Sequence, residues 1–318
     1  MQLLDFYKVK NLLGGVSPAD FYDWVDDALK HKSDYLMPVK TRMGQEHGDY
    51  YAIMPCLCAK DNVAMVKMIG RHLTTLGEKR TIMMSDLLLY EADTGVLKAV
   101  MDAEYITTLR TGAAAAHSAI MYGKKDFKTI GLIGLGNIMT ACMDVFIEKT
   151  KDKCLIVKLY RHHEQEIRFS ERYKTYNNVT FEYCDSYEDT IKGSDIVISA
   201  LTRAESDFCG DDCYDEGCTI IPIMTLGFQN CDLFFDHIFT DEIDQIRGFK
   251  YFNSFKAVTN HTEVIYGSVL GRQSDKERIL VYNYGLAIHD LYFADKVLKL
   301  AGDAYNVNYS YCTDRFFM

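Results

Sequence analysis

The stretch Lys128-Thr129-Ile130-Gly131-Leu132-Ile133-Gly134-Leu135-Gly136-Asn137-Ile138-Met139 decides how this chain is read. Residues 128–133 form a short apolar run, the pattern of a strand buried on both faces. Glycines follow at 134 and 136, and a helix is expected from there to about Lys149. A glycine-rich turn between a strand and a helix is the setting in which a dinucleotide's pyrophosphate is held. Gly134 permits the tight turn, and Gly136 removes the side chain that would keep a pyrophosphate off the backbone. The helix start at Asn137 and Ile138 offers unpaired N–H groups and a partial positive charge. Three residues after Gly136, where the full fingerprint has another glycine, stands Met139.

Working outward, apolar runs recur at 154–160, 179–183, 195–200 and 219–224, with a polar helix at about 164–174. Strands alternating with helices imply a parallel sheet covered on both faces. Ala200, ending the run at 195–200, joins Gly134, Gly136, Asn137 and Ile138 as a cofactor-binding candidate. The second strand ends Leu159-Tyr160-Arg161-His162-His163, with no acid before Glu164. An NAD enzyme places Asp or Glu there, whereas a cation suits a 2′-phosphate. Arg161 therefore favours NADP(H), with NAD(H) as the alternative.

The flanks have a different texture. Ser17 caps a helix that starts at Pro18. Residues 50–70 and 81–90 read as strands, Asp93-Thr94-Gly95 as a turn, and 96–102 as the return strand. Residues 105–122 read as a helix with a small-residue face at Ala113–Ala116, and 276–301 as one long helix ended by Gly302. The expected fold is α/β. A Rossmann dinucleotide-binding domain (124–275) is inserted in an α+β substrate-binding and dimerisation domain built from 1–123 and 276–318.

With 318 residues, two domains are the natural division. A net charge of −10 without a long basic run argues against nucleic acid and anionic membrane surfaces as partners. No run of apolar residues is long enough to span a bilayer, and the N-terminus lacks the pattern of a signal peptide. Ten cysteines in a chain of this length fit a reducing compartment, so the expectation is a soluble, cytoplasmic protein. Cys209, Cys213 and Cys218 lie among acids but lack paired metal-ligand spacing and a fourth ligand, so no metal is expected. No hydrolase or NTPase motif occurs.

Met37-Pro38-Val39-Lys40, Ile53-Met54-Pro55, Val66-Lys67, Asp93-Thr94-Gly95, Thr108-Leu109-Arg110-Thr111-Gly112-Ala113-Ala114-Ala115, the glycine turn and Tyr284–Asp290 carry a resemblance. Through these segments the chain resembles the ornithine cyclodeaminase/μ-crystallin family. The resemblance implies a homodimer and chemistry at the α-carbon of an amino or imino acid. It implies that Lys67 and Arg110 hold the substrate carboxylate, with Lys40 as the preferred third cation and Arg42 in reserve. Lys67 can also polarise the imine or carbonyl. Thr81 and Thr111 match positions near the cofactor, and His289 and Asp290 a position near the active site. The pattern also departs from cyclodeaminases. Ala52 stands where they have a carboxylate, and Gln229 where they have an acid/base Asp, with Asp232 three residues on as a catalytic candidate. The expected function is an NAD(P)H-dependent ketimine reductase or amino-acid dehydrogenase for a small amino or cyclic imino acid. The alternatives are ornithine cyclodeaminase, and a non-catalytic protein that binds NADPH or a small ligand.

Overall fold

The computed structural model describes residues 1–44, 49–72, 83–223, 225, 227–228 and 231–312. The first half runs β1 (Gln2–Leu4), α1 (Phe6–Leu13), α2 (Pro18–Lys30), β2 (Thr41–Gly44), β3 (Tyr50–Cys58), β4 (Val63–Arg71), β5 (Met83–Tyr90), β6 (Leu97–Asp102), α3 (Glu104–Tyr122) and β7 (Thr129–Ile133). It continues α4 (Asn137–Lys149), β8 (Leu155–Tyr160), α5 (Gln165–Arg172), β9 (Val179–Cys184), α6 (Tyr187–Ile191), β10 (Ile196–Ser199) and β11 (Thr219–Pro222). The last part runs β12 (His237–Thr240), α7 (Ile243–Ile246), β13 (Val258–Asn260), α8 (His261–Ile265), β14 (Ile279–Tyr282) and α9 (Ala287–Ala301). These elements form two compact units. The first is Met1–Val16, Ser33–Thr107 and Ala287–Met318, and the second is Ser17–Lys32 and Thr108–Leu286.

The first unit is built on a six-stranded sheet in the order β1-β6-β5-β4-β3-β2. β1 runs parallel to β6 and the other pairs are antiparallel. Period-2 alternation sorts the side chains of β4: Met65, Lys67 and Ile69 are buried, while Val66 and Met68 are exposed. α9 packs against β3, β4 and β5, and α1 against β6. Asn62, in the turn between β3 and β4, takes a left-handed φ of 51°, which asparagine tolerates.

The second unit is an eight-stranded, all-parallel sheet in the order β13-β12-β14-β11-β10-β7-β8-β9. This is a Rossmann-type fold. Successive strands β7, β8 and β9 step one way, and β10 and β11 step the other. The order reverses between β7 and β10, and ligands bind at such a switch point in open α/β sheets.

One sequence expectation is corrected. Residues 276–301 are not a single helix but strand β14, a turn and helix α9. All four residues of β14 are buried, and a short apolar run has no periodicity to separate strand from helix. Gly285 breaks the segment with φ +98°. β14 then pairs with β11 and β12, so 276–286 belongs to the second unit. α2 joins that unit as well, packing on α4 and α8. The breaks therefore fall within α3 and at Leu286/Ala287 rather than at 123/124 and 275/276.

Candidate functional site

Where the sheet order reverses, the second unit has a cleft of about 350 Å³, lined among others by Gly134, Gly136, Tyr160, His162, Tyr187 and Ala200. Gly134 has φ +84°, and a Cβ there would come 2.7 Å from the Ala200 carbonyl oxygen. Only glycine fits that turn. A Cβ on Gly136 would meet no protein atom within 4 Å, so the space over it is open to a ligand. Gly136 is also the N-cap of α4 and no side chain caps the helix, which leaves its first amides for an anion. Asn137 is exposed and Ile138 half-buried in that first turn. The structure thus gathers Gly134, Gly136, Asn137, Ile138 and Ala200 at one place. The cradle and its open amides fit a pyrophosphate.

The close approach that a third glycine would allow is achieved elsewhere. Met139 is buried, and the tight contact of α4 is with α3, where a Cβ on Gly112 would sit 2.5 Å from the Cys142 nitrogen. Tyr160 and Tyr187 pack with ring centroids 4.2 Å apart and present aromatic surface to the cleft. Sequence reading missed this pair because nothing in its spacing marks it. Arg161 does not line the cleft. Its guanidinium donates to Asp185 at 2.8 Å in an exposed ion pair and lies over the Tyr183 ring. His162, one residue on, lines the cleft instead.

In the first unit, Lys67 lies on the buried face of β4. Its Nζ donates to Asp290 Oδ1 at 2.6 Å and to Thr107 Oγ1 at 3.2 Å, and neither Lys67 nor Asp290 has exposed side-chain surface. Asp290 sits in the first turn of α9, on the stripe with Ala287, Leu291 and Ala294 that the helix buries. A charge on an apolar stripe was the legible signal for this partner. Burial, with a further contribution from Asp290, pushes the Cys56 thiol up to about 12. His289 is buried as well.

Arg110, on α3, is buried, and a Cβ on Gly285 would lie 3.1 Å from its Nη1. The Gly285 N–H donates to Asp241 Oδ2 at 2.7 Å, which fixes this turn beside the guanidinium. Thr111 follows on α3 and is half-buried. Arg42 lies exposed on β2, over the Tyr50 ring at 5.0 Å, and Lys40 is half-buried just before that strand. Asp232 is buried in a 3-10 turn beside Tyr282, and it does not line the cleft. Burial first, then the Asp207 charge, pushes its carboxyl up to about 6 against a hydrogen bond from the Tyr282 hydroxyl. Thr81 and Gln229 lie outside the described residues.

The model of the ornithine cyclodeaminase/mu-crystallin family matches residues 9–303. The chain belongs to this family. One family relative, the N-((2S)-2-amino-2-carboxyethyl)-L-glutamate dehydrogenase of Staphylococcus aureus, is 24% identical over 300 residues, covering 87% of this chain and 89% of its own. Among solved structures, the chain is similar to the Thermococcus litoralis Δ1-pyrroline-2-carboxylate reductase in complex with NADH and L-proline. The TM-score is 0.81 at 20% identity, covering 97% of this chain and 100% of that one. It is similar too to an archaeal alanine dehydrogenase dimer with bound NAD, with a TM-score of 0.81 at 22% identity, covering 95% of this chain and 96% of that one. Both likenesses show the shared fold. Against the family pattern, Ala52 is buried on β3, in register with Arg42 of β2 and Ile69 of β4, and supplies no carboxylate. Among the described residues, no helix is long and apolar enough to cross a membrane.

Proposed function

We propose that this family member is an NAD(P)H-dependent oxidoreductase acting at the α-carbon of a small amino or cyclic imino acid, as a ketimine reductase or amino-acid dehydrogenase. The observation that carries this reading is the cleft at the β7/β10 reversal. Its Gly136 leaves open space and its helix amides are uncapped, as a dinucleotide requires. The names of the relatives support the reading, since all three denote oxidoreductases of amino or imino acids.

When bound, the nicotinamide supplies or accepts a hydride at the α-carbon. The chain's residues do the rest. By the family resemblance, Lys67 and Arg110 are the cations assigned to the α-carboxylate, Arg110 through its planar fork of donors. Asp290 and Thr107 fix the Lys67 ammonium, which can also donate a hydrogen bond, and a proton, to the imine nitrogen. Asp232, enclosed beside Tyr282, is not assigned the proton transfer. Gly134, Gly136, Asn137, Ile138, Ala200 and Thr111 serve the cofactor. NADP(H) is preferred if Arg161 leaves Asp185 for a 2′-phosphate. The sheet face opposite Lys67, with exposed Val66, Met68 and Met84, supports a homodimer through that face.

A fluorescence titration of NADPH against NADH, followed by Δ1-pyrroline-2-carboxylate and by 2-oxo acids with ammonia, tests the proposal. Oxidation of the reduced cofactor on adding an imine is expected, and Arg110→Ala should raise KM more than 100-fold by losing a charge-assisted pair of about 3 kcal/mol. Proline and ammonia formed from ornithine without net cofactor change would establish the cyclodeaminase alternative. Tight NADPH binding without turnover of any imine would establish a binding protein.

A further inference from the structure

We infer that Arg168 is a cofactor-specificity residue: it receives the 2′-phosphate of NADPH, so that NADPH is preferred to NADH whether or not Arg161 leaves Asp185. The inference rests on the dinucleotide site of the oxidoreductase reading above and narrows which cofactor fills it. Two cavities of the second unit meet at the glycine turn. The cleft at the sheet reversal holds Tyr160, His162 and Tyr187. A second cavity of about 410 Å³ is lined by Asn137 and Thr140 of α4 and by Arg168 and Arg172 of α5, among others. Leu135, Gly136 and Gln165 line both. Gly136 has no side chain to part them, and a Cβ there would meet no protein atom within 4 Å. With the pyrophosphate on the α4 amides and the adenine against the Tyr160 and Tyr187 rings, the ribose that joins them falls at this shared boundary. A group on its 2′ oxygen then has the second cavity to fill.

The charges at this boundary favour a phosphate there. Among the described residues, no carboxylate lines either cavity. An NAD site has an acid at the end of the second strand to hold the ribose hydroxyls. Of the two acids that follow β8, Glu164 is exposed and lines neither cavity. Glu166 is buried, and its Oε2 accepts from the His162 N–H at 3.2 Å. Three nearby guanidiniums are already paired: Arg161 with Asp185, Arg172 with Asp144 and Arg203 with Glu205, each at 2.8 Å. Arg168 differs from them. It is exposed, one turn before Arg172 on the same face of α5, and among the described residues it has no ion-pair partner. Glu171, three residues on, is 2.8 Å from Lys174. Arg168 therefore brings an unbalanced charge and a planar fork of donors to the cavity that opens on the ribose. A phosphate dianion engages both, whereas a 2′-hydroxyl leaves the charge without a partner.

The test is a binding measurement and needs no substrate. Fluorescence titrations of the full chain give Kd for NADPH and for NADH in wild type, Arg168→Gln, Arg168→Lys and Arg161→Ala at one ionic strength. Displacement of the bound dinucleotide by 2′,5′-ADP is compared with displacement by ADP, which lacks the 2′-phosphate. Wild type is expected to bind NADPH at least about tenfold more tightly than NADH, the scale of one hydrogen-bonded charge pair. That ratio should fall about tenfold in Arg168→Gln and be partly kept in Arg168→Lys. The advantage of 2′,5′-ADP over ADP should disappear in Arg168→Gln alongside it. Because Arg168 is exposed, Arg168→Gln should melt like wild type, so a lost preference reads on binding rather than on folding. Equal affinity of wild type for the two dinucleotides, or the wild-type ratio persisting in Arg168→Gln, would overturn the inference and leave the oxidoreductase reading standing. A ratio that falls in Arg161→Ala and not in Arg168→Gln overturns it too, and returns the phosphate to Arg161. Failure to bind either dinucleotide would sink the oxidoreductase reading and the inference with it.

Discussion

Changing Asp290 to Asn leaves the Lys67 ammonium buried without its counter-charge. In the native chain the two groups meet at 2.6 Å with no solvent exposure on either side. Removing one member of a buried ion pair costs about 3–5 kcal/mol, because the remaining charge keeps its desolvation penalty and loses its compensation. A domain's whole stability is about 5–15 kcal/mol. Asp290→Asn should therefore lower the melting temperature of the unit carrying it by about 6–20 °C, taking about 2–4 °C per kcal/mol. The double variant Lys67→Met/Asp290→Leu replaces both charges with apolar groups and should recover most of that loss, since such replacements are often neutral or stabilising. It should also abolish turnover, because no cation remains at position 67. Urea and thermal melts of Asp290→Asn, of Lys67→Met and Asp290→Leu singly, and of the double variant supply the comparison, the last three with wild type closing the cycle. A single variant that costs less than about 1 kcal/mol, or a double variant no more stable than Asp290→Asn, would refute the claim that desolvation dominates this pair.

Gly134→Ala and Gly136→Ala should separate folding from binding. The first forces a Cβ to 2.7 Å from the Ala200 oxygen at φ +84° and should destabilise the second unit by about 1–3 kcal/mol in denaturant melts. The second meets no protein atom and should melt like wild type while losing at least about tenfold in dinucleotide affinity by fluorescence titration. Asp185→Asn frees Arg161 from its 2.8 Å partner and should raise the NADPH:NADH affinity ratio, whereas Arg161→Ala should lower it. An unchanged ratio in both would remove Arg161 from the cofactor site. The raised carboxyl of Asp232, about 6 in the folded chain, means that the native state holds its proton between roughly pH 4 and 6 while the unfolded state has lost it. Stability from this group therefore falls as pH rises through that window. Asp232→Asn should flatten the fall and stabilise the protein at pH 7.5 relative to pH 4 by up to about 3 kcal/mol, as read by urea melts at the two pH values.

Much of this was legible along the chain because the relevant physics is local. The strand, glycine turn and helix at 128–149 are set by an apolar run and by a backbone conformation only glycine adopts, so the phosphate cradle could be read without tertiary information. Residues 50–70 likewise read as strands from their composition, whereas the buried facing of Lys67 came from the folded β4. What the chain alone left undecided depended on contacts distant in sequence. β14 looked like the start of a helix because strand and helix are indistinguishable in four wholly buried residues, and only pairing with β11 and β12 decides between them. Arg161 looked directed at a phosphate until Asp185, 24 residues later, was found to hold it. Asp232 looked free to act until folding enclosed it beside Tyr282. Asp290 is separated from Lys67 by 223 residues. Local sequence sets which backbone conformations are allowed. The partner of each charge is set by packing, since the cost of burying it without one is met only in the folded chain.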